Sequence, residues 1–68
     1  MTEREKIDFI IEKNFKEVDF DKIDQLAIGL WHLTDHSGEI FIRLVGDKAQ
    51  IAFDIDFKII SEVVDFTE

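Results

Sequence analysis

Between Glu39 and Phe57 apolar side chains recur at every second position, first as Ile40, Ile42 and Leu44, then as Ala49, Ile51, Phe53, Ile55 and Phe57. A period of two is the spacing of a β-strand with one face turned to a core. Val45-Gly46-Asp47-Lys48 separates the two runs, and its glycine can take the positive φ of a tight turn. The stretch therefore reads as a β-hairpin. Phe41 and Val45 make the first strand apolar on both faces, which suits a central position. Gln50, Asp54, Asp56 and Lys58 give the second strand a wet face, which suits a place nearer an edge.

The segment before the hairpin supplies a third strand. Thr34-Asp35-His36-Ser37-Gly38-Glu39 has the composition of a hairpin connection, with Asp35 opening a type I turn and Gly38 suited to the left-handed position of a bulge. Ile28 to Thr34 then pairs with Glu39 to Val45. Residues 21–34 nonetheless admit two readings. Asp21 and Asp24 can cap a short helix through Gln25, Leu26 and Ala27 that gives way to the strand, or the helical stripe Ile23, Leu26, Ala27, Leu30 and Trp31 can continue. Gly29 costs up to about 1 kcal/mol inside a helix and favours the first. Three antiparallel strands over 28–34, 39–45 and 49–57 follow, in meander order.

Thr2 to Phe15 is expected to form an amphipathic helix. Ile7, Ile10, Ile11 and Phe15 fall on one stripe, with Glu3, Glu5, Lys6, Asp8, Glu12 and Lys13 on most of the remaining surface. Thr2 with Glu5 three residues later makes a capping-box pattern. After Lys58 the apolar positions Ile59, Ile60, Val63 and Val64 return to helical spacing, so a short C-terminal helix is expected, with an extension of the third strand to Ile59 as the alternative. The expected fold is thus a single α+β domain over residues 1–68, with an N-terminal helix, a three-stranded antiparallel meander and a short C-terminal helix.

A chain of 68 residues buries only about 60% of its unfolded surface. It contains no cysteine, so disulfides and thiolate metal sites are excluded and self-association is the remaining staple for so small a core. A hydrophobic fraction of 46%, with seven Phe and one Trp, is ample for a folded core. Sixteen acidic residues against eight basic ones give a formal net charge of −8. Direct binding of nucleic acid or anionic lipid is disfavoured, because both need a basic surface. The charged start Glu3-Arg4-Glu5-Lys6 lacks a signal-like apolar region, and no apolar run is long enough to span a bilayer, so a cytoplasmic protein is expected.

No constellation for catalysis emerges. His32 and His36 stand four apart, but the hydrolytic zinc motif needs Glu after the first His and this chain has Leu33; on a strand and its turn the two also diverge. Asp19-x-Asp21-x-x-Asp24 lacks the glycine and the distal glutamate of a calcium loop, and fits helix capping instead. Ser37 lies beside His36 on a turn, where neighbours in sequence do not converge into a triad. No enzyme and no cofactor are expected.

Asp54 and Asp56 carry the sharper expectation. On a strand they would project from one face about 6.6 Å apart, and Asp47, Glu62 and Asp65 would extend the row. Such a surface suits charge-assisted bonds to Arg and Lys of a basic partner. Its alternative role is the ordinary solvated face of an edge strand. One functional expectation is accordingly a small acidic protein-binding module, in its sharpest form an inhibitor of the phage anti-defence or immunity type that blocks a nuclease or other nucleic-acid-handling protein. The other is a self-associating structural or regulatory module, a homodimer through Trp31 and Phe41 with no inhibitory role.

Overall fold

A computed structural model describes residues 2–66. Helix α1, Glu3–Asn14, precedes five strands, β1 Lys22–Ala27, β2 Leu30–Asp35, β3 Gly38–Val45, β4 Lys48–Ala52 and β5 Ile60–Asp65. The strands form one antiparallel sheet in the order β1-β2-β3-β4-β5, a simple meander. The fold is α+β, and α1 covers one face of the sheet.

Several expectations are overturned. The C-terminal segment is not a helix but β5, and the sheet has five strands rather than three. The periodicity of Ile59, Ile60, Val63 and Val64 suits either state, but branching at Cβ restrains these side chains in a helix and favours a pleated surface. The open edge of β4 then supplies backbone partners, pairing Lys48 with Asp65 and Ala49 with Val64. Both readings of 21–34 place a helix there and both are overturned: the segment is a hairpin in which strand β1 stands where the helix was expected, so Asp21 and Asp24 cap no helix. Residues Lys22–Ala27 pair with β2, and the Asp21 amide donates to the Thr34 carbonyl at 2.8 Å. A further difference concerns β4, which ends at Ala52, so Phe53 to Phe57 leave the sheet despite their unbroken alternation.

The capping box at the start of α1 is present in full. Thr2 Oγ1 accepts from the Glu5 amide at 3.2 Å, and the Glu5 carboxylate accepts from the Thr2 amide at 3.0 Å. Ile7 and Ile10 are fully buried beneath the helix, against Trp31, Leu33, Ile40, Ile42, Ala49, Ile51 and Val64 of the sheet. Register builds this core in rows. Trp31, Ile42 and Ile51 stand side by side across β2, β3 and β4, and Leu33 stands beside Ile40. β3 is the middle strand, and its Ile40, Phe41 and Ile42 are buried on both faces, as its composition requires.

Glu3 ties helix to sheet. Its Oε1 accepts from Gln25 Nε2 at 3.1 Å, from the Gly29 amide at 2.9 Å and from Trp31 Nε1 at 2.9 Å. The Trp31 indole bond, followed by the Gly29 amide, holds the carboxyl below its ordinary value of 4.5. The same contact orients the β1-β2 turn, Ile28-Gly29, whose glycine has φ +76°. The Gly29 carbonyl accepts from the Leu44 amide at 2.7 Å, and a Cβ at this glycine would meet the Leu44 oxygen at 3.2 Å. Gly46 opens the β3-β4 turn with φ +60° but has open space around it. Gly38 does not take the left-handed conformation expected of it, because His36 and Ser37 close that turn without a bulge.

Gly29→Ala and Gly46→Ala both force a Cβ into the left-handed region, at about 1–2 kcal/mol each. Gly29→Ala is expected to lower the urea midpoint further, because it alone also crowds the Leu44 carbonyl. Equal losses in the two variants would show that the close approach carries no energy. A second expectation concerns acid. Because the Glu3 carboxyl is depressed in the folded chain, its stabilisation is present above the unfolded value and disappears as pH falls through the folded one. Glu3→Gln should therefore flatten the loss of stability between neutral pH and about pH 3, as followed by Trp31 fluorescence. Parallel acid limbs in variant and wild type would exclude this linkage.

Candidate protein-binding surface

Where the chain departs from β4 its course is set by one aromatic ring. Phe57 has φ +53°, and its amide donates to the Asp54 carbonyl at 3.3 Å, so the segment turns back on itself. The ring is only 7% exposed and packs on Phe41 and Ala52, with Leu30 alongside, on the sheet face opposite α1. Ala52 makes room for it. The Arg43 guanidinium lies 4.5 Å above the Phe57 ring centroid, close enough for a cation–π contact. Both Nε and Nη2 of Arg43 donate to Gln50 Oε1, the first at 2.9 Å, which fixes the guanidinium over the ring. On the other side His32 stacks on Phe41 at 4.6 Å with an interplanar angle of 14°. Its Nε2 lies 3.2 Å from Glu39 Oε2.

With Phe57 held inward, the residues before it are held outward. Phe53 is 68% exposed, and Ile55, Asp54 and Asp56 are exposed with it. Phe53 shares a shallow hollow at this end of the sheet with Phe20, Ile40, Asp35 and Glu39. Asp35 is fixed there as an anion. Its Oδ1 accepts from Ser37 Oγ at 2.9 Å, from the Ser37 amide at 2.7 Å and from the Gly38 amide at 2.7 Å. The Ser37 hydroxyl and amide hold its carboxyl below the ordinary 3.8. Asp19 and Asp21 flank Phe20 in sequence. The result is an apolar floor with carboxylates around it, the arrangement that receives a side chain with an aliphatic stem and a cationic head.

The carboxylates expected to form one row are dispersed. Asp54 and Asp56 sit on the loop at this end, not on a strand face. Asp47 occupies the β3-β4 turn at the far end, where its carbonyl accepts from the Phe66 amide at 2.8 Å. Asp65 lies there too, 3.9 Å from Lys48 Nζ. At about 3.3 Å per residue, the length of β4 puts the two groups on the order of 20 Å apart. Glu62 stands between them on β5, opposite Ile51. Trp31 and Phe41, expected as an association surface, are 6% and 8% exposed and engaged within the chain, the first under α1 and the second under Phe57. His32 lies on β2 and His36 on the following turn, and among the described residues no group of three His, Asp or Glu side chains could hold a metal ion.

Asp35, Glu39, Phe20 and Phe53 are not legible in the sequence as parts of one surface, because only the meander brings the end of β2, the start of β3 and the end of β4 together. The inward turn of Phe57 carries no sequence signal of its own, since a positive φ is rare for a bulky residue. The density of acids in Phe53-Asp54-Ile55-Asp56 was the available hint that the strand ends there.

Phe57 should behave unlike an ordinary core aromatic. Phe57→Ala is expected to cost roughly 3–5 kcal/mol through the packing lost on Phe41 and Ala52, and to speed amide exchange in residues 53–59. Phe57→Gly should be no worse than Phe57→Ala, since glycine relieves the positive φ. A glycine variant clearly less stable than the alanine one would contradict this backbone assignment. No protein-family model matches this chain, and no curated protein or solved structure is significantly similar to it.

Proposed function

We propose that this chain is a small acidic protein-binding module that docks on a basic protein through the end of the sheet bearing Asp35, Glu39, Asp54 and Asp56. The observation that carries the reading is the hollow of Phe20, Ile40 and Phe53 with the fixed carboxylate of Asp35 and that of Glu39 beside it. Exposed aromatic and aliphatic groups supply area to bury, and the acids select a cationic partner and steer its approach. The net charge of −8 favours such a partner over nucleic acid itself. The sharper form of the reading is an inhibitor that covers the basic groove of a nuclease or other nucleic-acid-handling protein. Homodimerisation through Trp31 and Phe41 finds less support, because neither side chain offers exposed area.

The test compares the wild-type chain with Asp54→Asn/Asp56→Asn and Asp47→Asn/Asp65→Asn as baits in bacterial lysate at low and high salt. A partner identified by mass spectrometry is then purified and titrated against each. The expected result is binding lost at high salt, weakened about tenfold or more by the first pair of changes and little affected by the second. Equal affinity for wild type and Asp54→Asn/Asp56→Asn would overturn the reading. Competition between the chain and nucleic acid for that partner would establish the inhibitory form.

A further inference from the structure

We infer that the outer edge of β5 takes up an extended, alternately basic and apolar segment of the partner as a sixth strand; this rests on the basic partner proposed above and names the way it is held. The sheet has two edges, and they differ. β1 presents exposed Lys22 and Asp24, charges that discourage strand pairing. β5, Ile60–Asp65, has no lysine, arginine or proline, and its side is open: no described strand lies beyond it. Its backbone is already held extended. The ladder to β4 runs from Asp65 opposite Lys48 to Glu62 opposite Ile51 and resumes beyond a bulge at Ser61 with Ile60 opposite Ala52, and the Phe66 amide continues it at the other end to the Asp47 carbonyl. A docking strand would meet a template whose ordering cost has been met by the fold.

Side chains along β5 specify what that strand should carry. Val63, opposite Gln50, is 53% exposed on the face away from α1, and Ile60, opposite Ala52, is partly exposed on that face too. Glu62, opposite Ile51, stands exposed on the other face. A strand added about 4.8 Å away would set one residue beside Val63, where an apolar group gains burial, and the next beside Glu62, where a cation is favoured; Ile60 offers a second apolar contact beyond the bulge at Ser61. Charge also decides between occupants. Residues 47–68 contain six acids (Asp47, Asp54, Asp56, Glu62, Asp65, Glu68) and two bases (Lys48, Lys58), a balance of −4. A second copy would bring two such segments together, whereas a cationic strand neutralises one, and Asp54 and Asp56 extend the same field past the start of β5.

The probe is an end-blocked octapeptide of alternating arginine and valine, compared with its isomer of four arginines followed by four valines, with amide exchange followed by NMR on the full chain. The alternating peptide should slow exchange of outward-pointing amides within 60–65 by about tenfold or more at saturation, and the isomer should not. Val63→Lys, at an exposed position, should weaken the alternating peptide about tenfold while leaving circular dichroism unchanged. Protection by both peptides confined to 35–39 and 53–56 would overturn strand addition and leave the acidic-end surface standing. Slow exchange along β5 without peptide, together with a doubled mass in light scattering, would assign the edge to a second copy and overturn it. Failure of both peptides to bind at low salt would overturn it as well, while the titration of the aspartate variants tests the basic-partner reading independently.

Discussion

One helix covers one face of this five-stranded sheet, and on the other face the chain closes the centre over the middle strand itself. Phe57 is what closes it. The middle strand is apolar on both sides, so leaving Phe41 open to water would forfeit part of the burial a small domain depends on. A seven-residue excursion between β4 and β5 places one ring over Phe41 and Ala52, and Arg43 and His32 complete the cover from the two sides. The backbone accepts a conformation unfavourable to phenylalanine to achieve this. Everything exposed on the excursion, including Phe53 and both aspartates, owes its position to that ring.

The opposite face is organised around a polar contact. Glu3 gathers three N–H donors from the β1-β2 hairpin onto one oxygen, so the first turn of the helix and the first turn of the sheet are fixed to each other. Apolar packing alone would let the helix slide along the Ile7 and Ile10 stripe. A carboxylate bonded to the lone indole and to a backbone amide sets its rotation and its height. At the other side of the sheet Lys6 reaches the Gly46 carbonyl, and Phe9 packs on Phe66 at 5.6 Å.

Much of this was legible in the residues, and the failures have identifiable physics. The capping box, the helix, the tight turn at Gly46 and the doubly buried strand 39–45 each rest on local chemistry that the sequence states directly. The last strand was misread because Ile60, Val63 and Val64 satisfy helical and extended periods alike, and the deciding partner, the edge of β4, is tertiary. The end of β4 was misread because alternation continues through Phe57 while the backbone has already left the sheet. Trp31 and Phe41 were legible as large apolar groups but not as groups already in use. The acids were visible one by one, yet their grouping depends on which strand ends coincide.

Every strand of this sheet neighbours the one before it in sequence, and three of the four connections are only two residues long. Such a meander closes small loops in succession, so most of the search for the fold is local. The distant closures are few: Glu3 to the first hairpin, and Lys6 and Phe9 to the last turn and the C-terminal strand. The helix precedes the sheet in sequence yet packs on side chains from β2 through β5, so its full seat exists only when all four are paired. The sheet can therefore assemble hairpin by hairpin while the helix waits, and the helix gains its complete seat only once the last hairpin has closed.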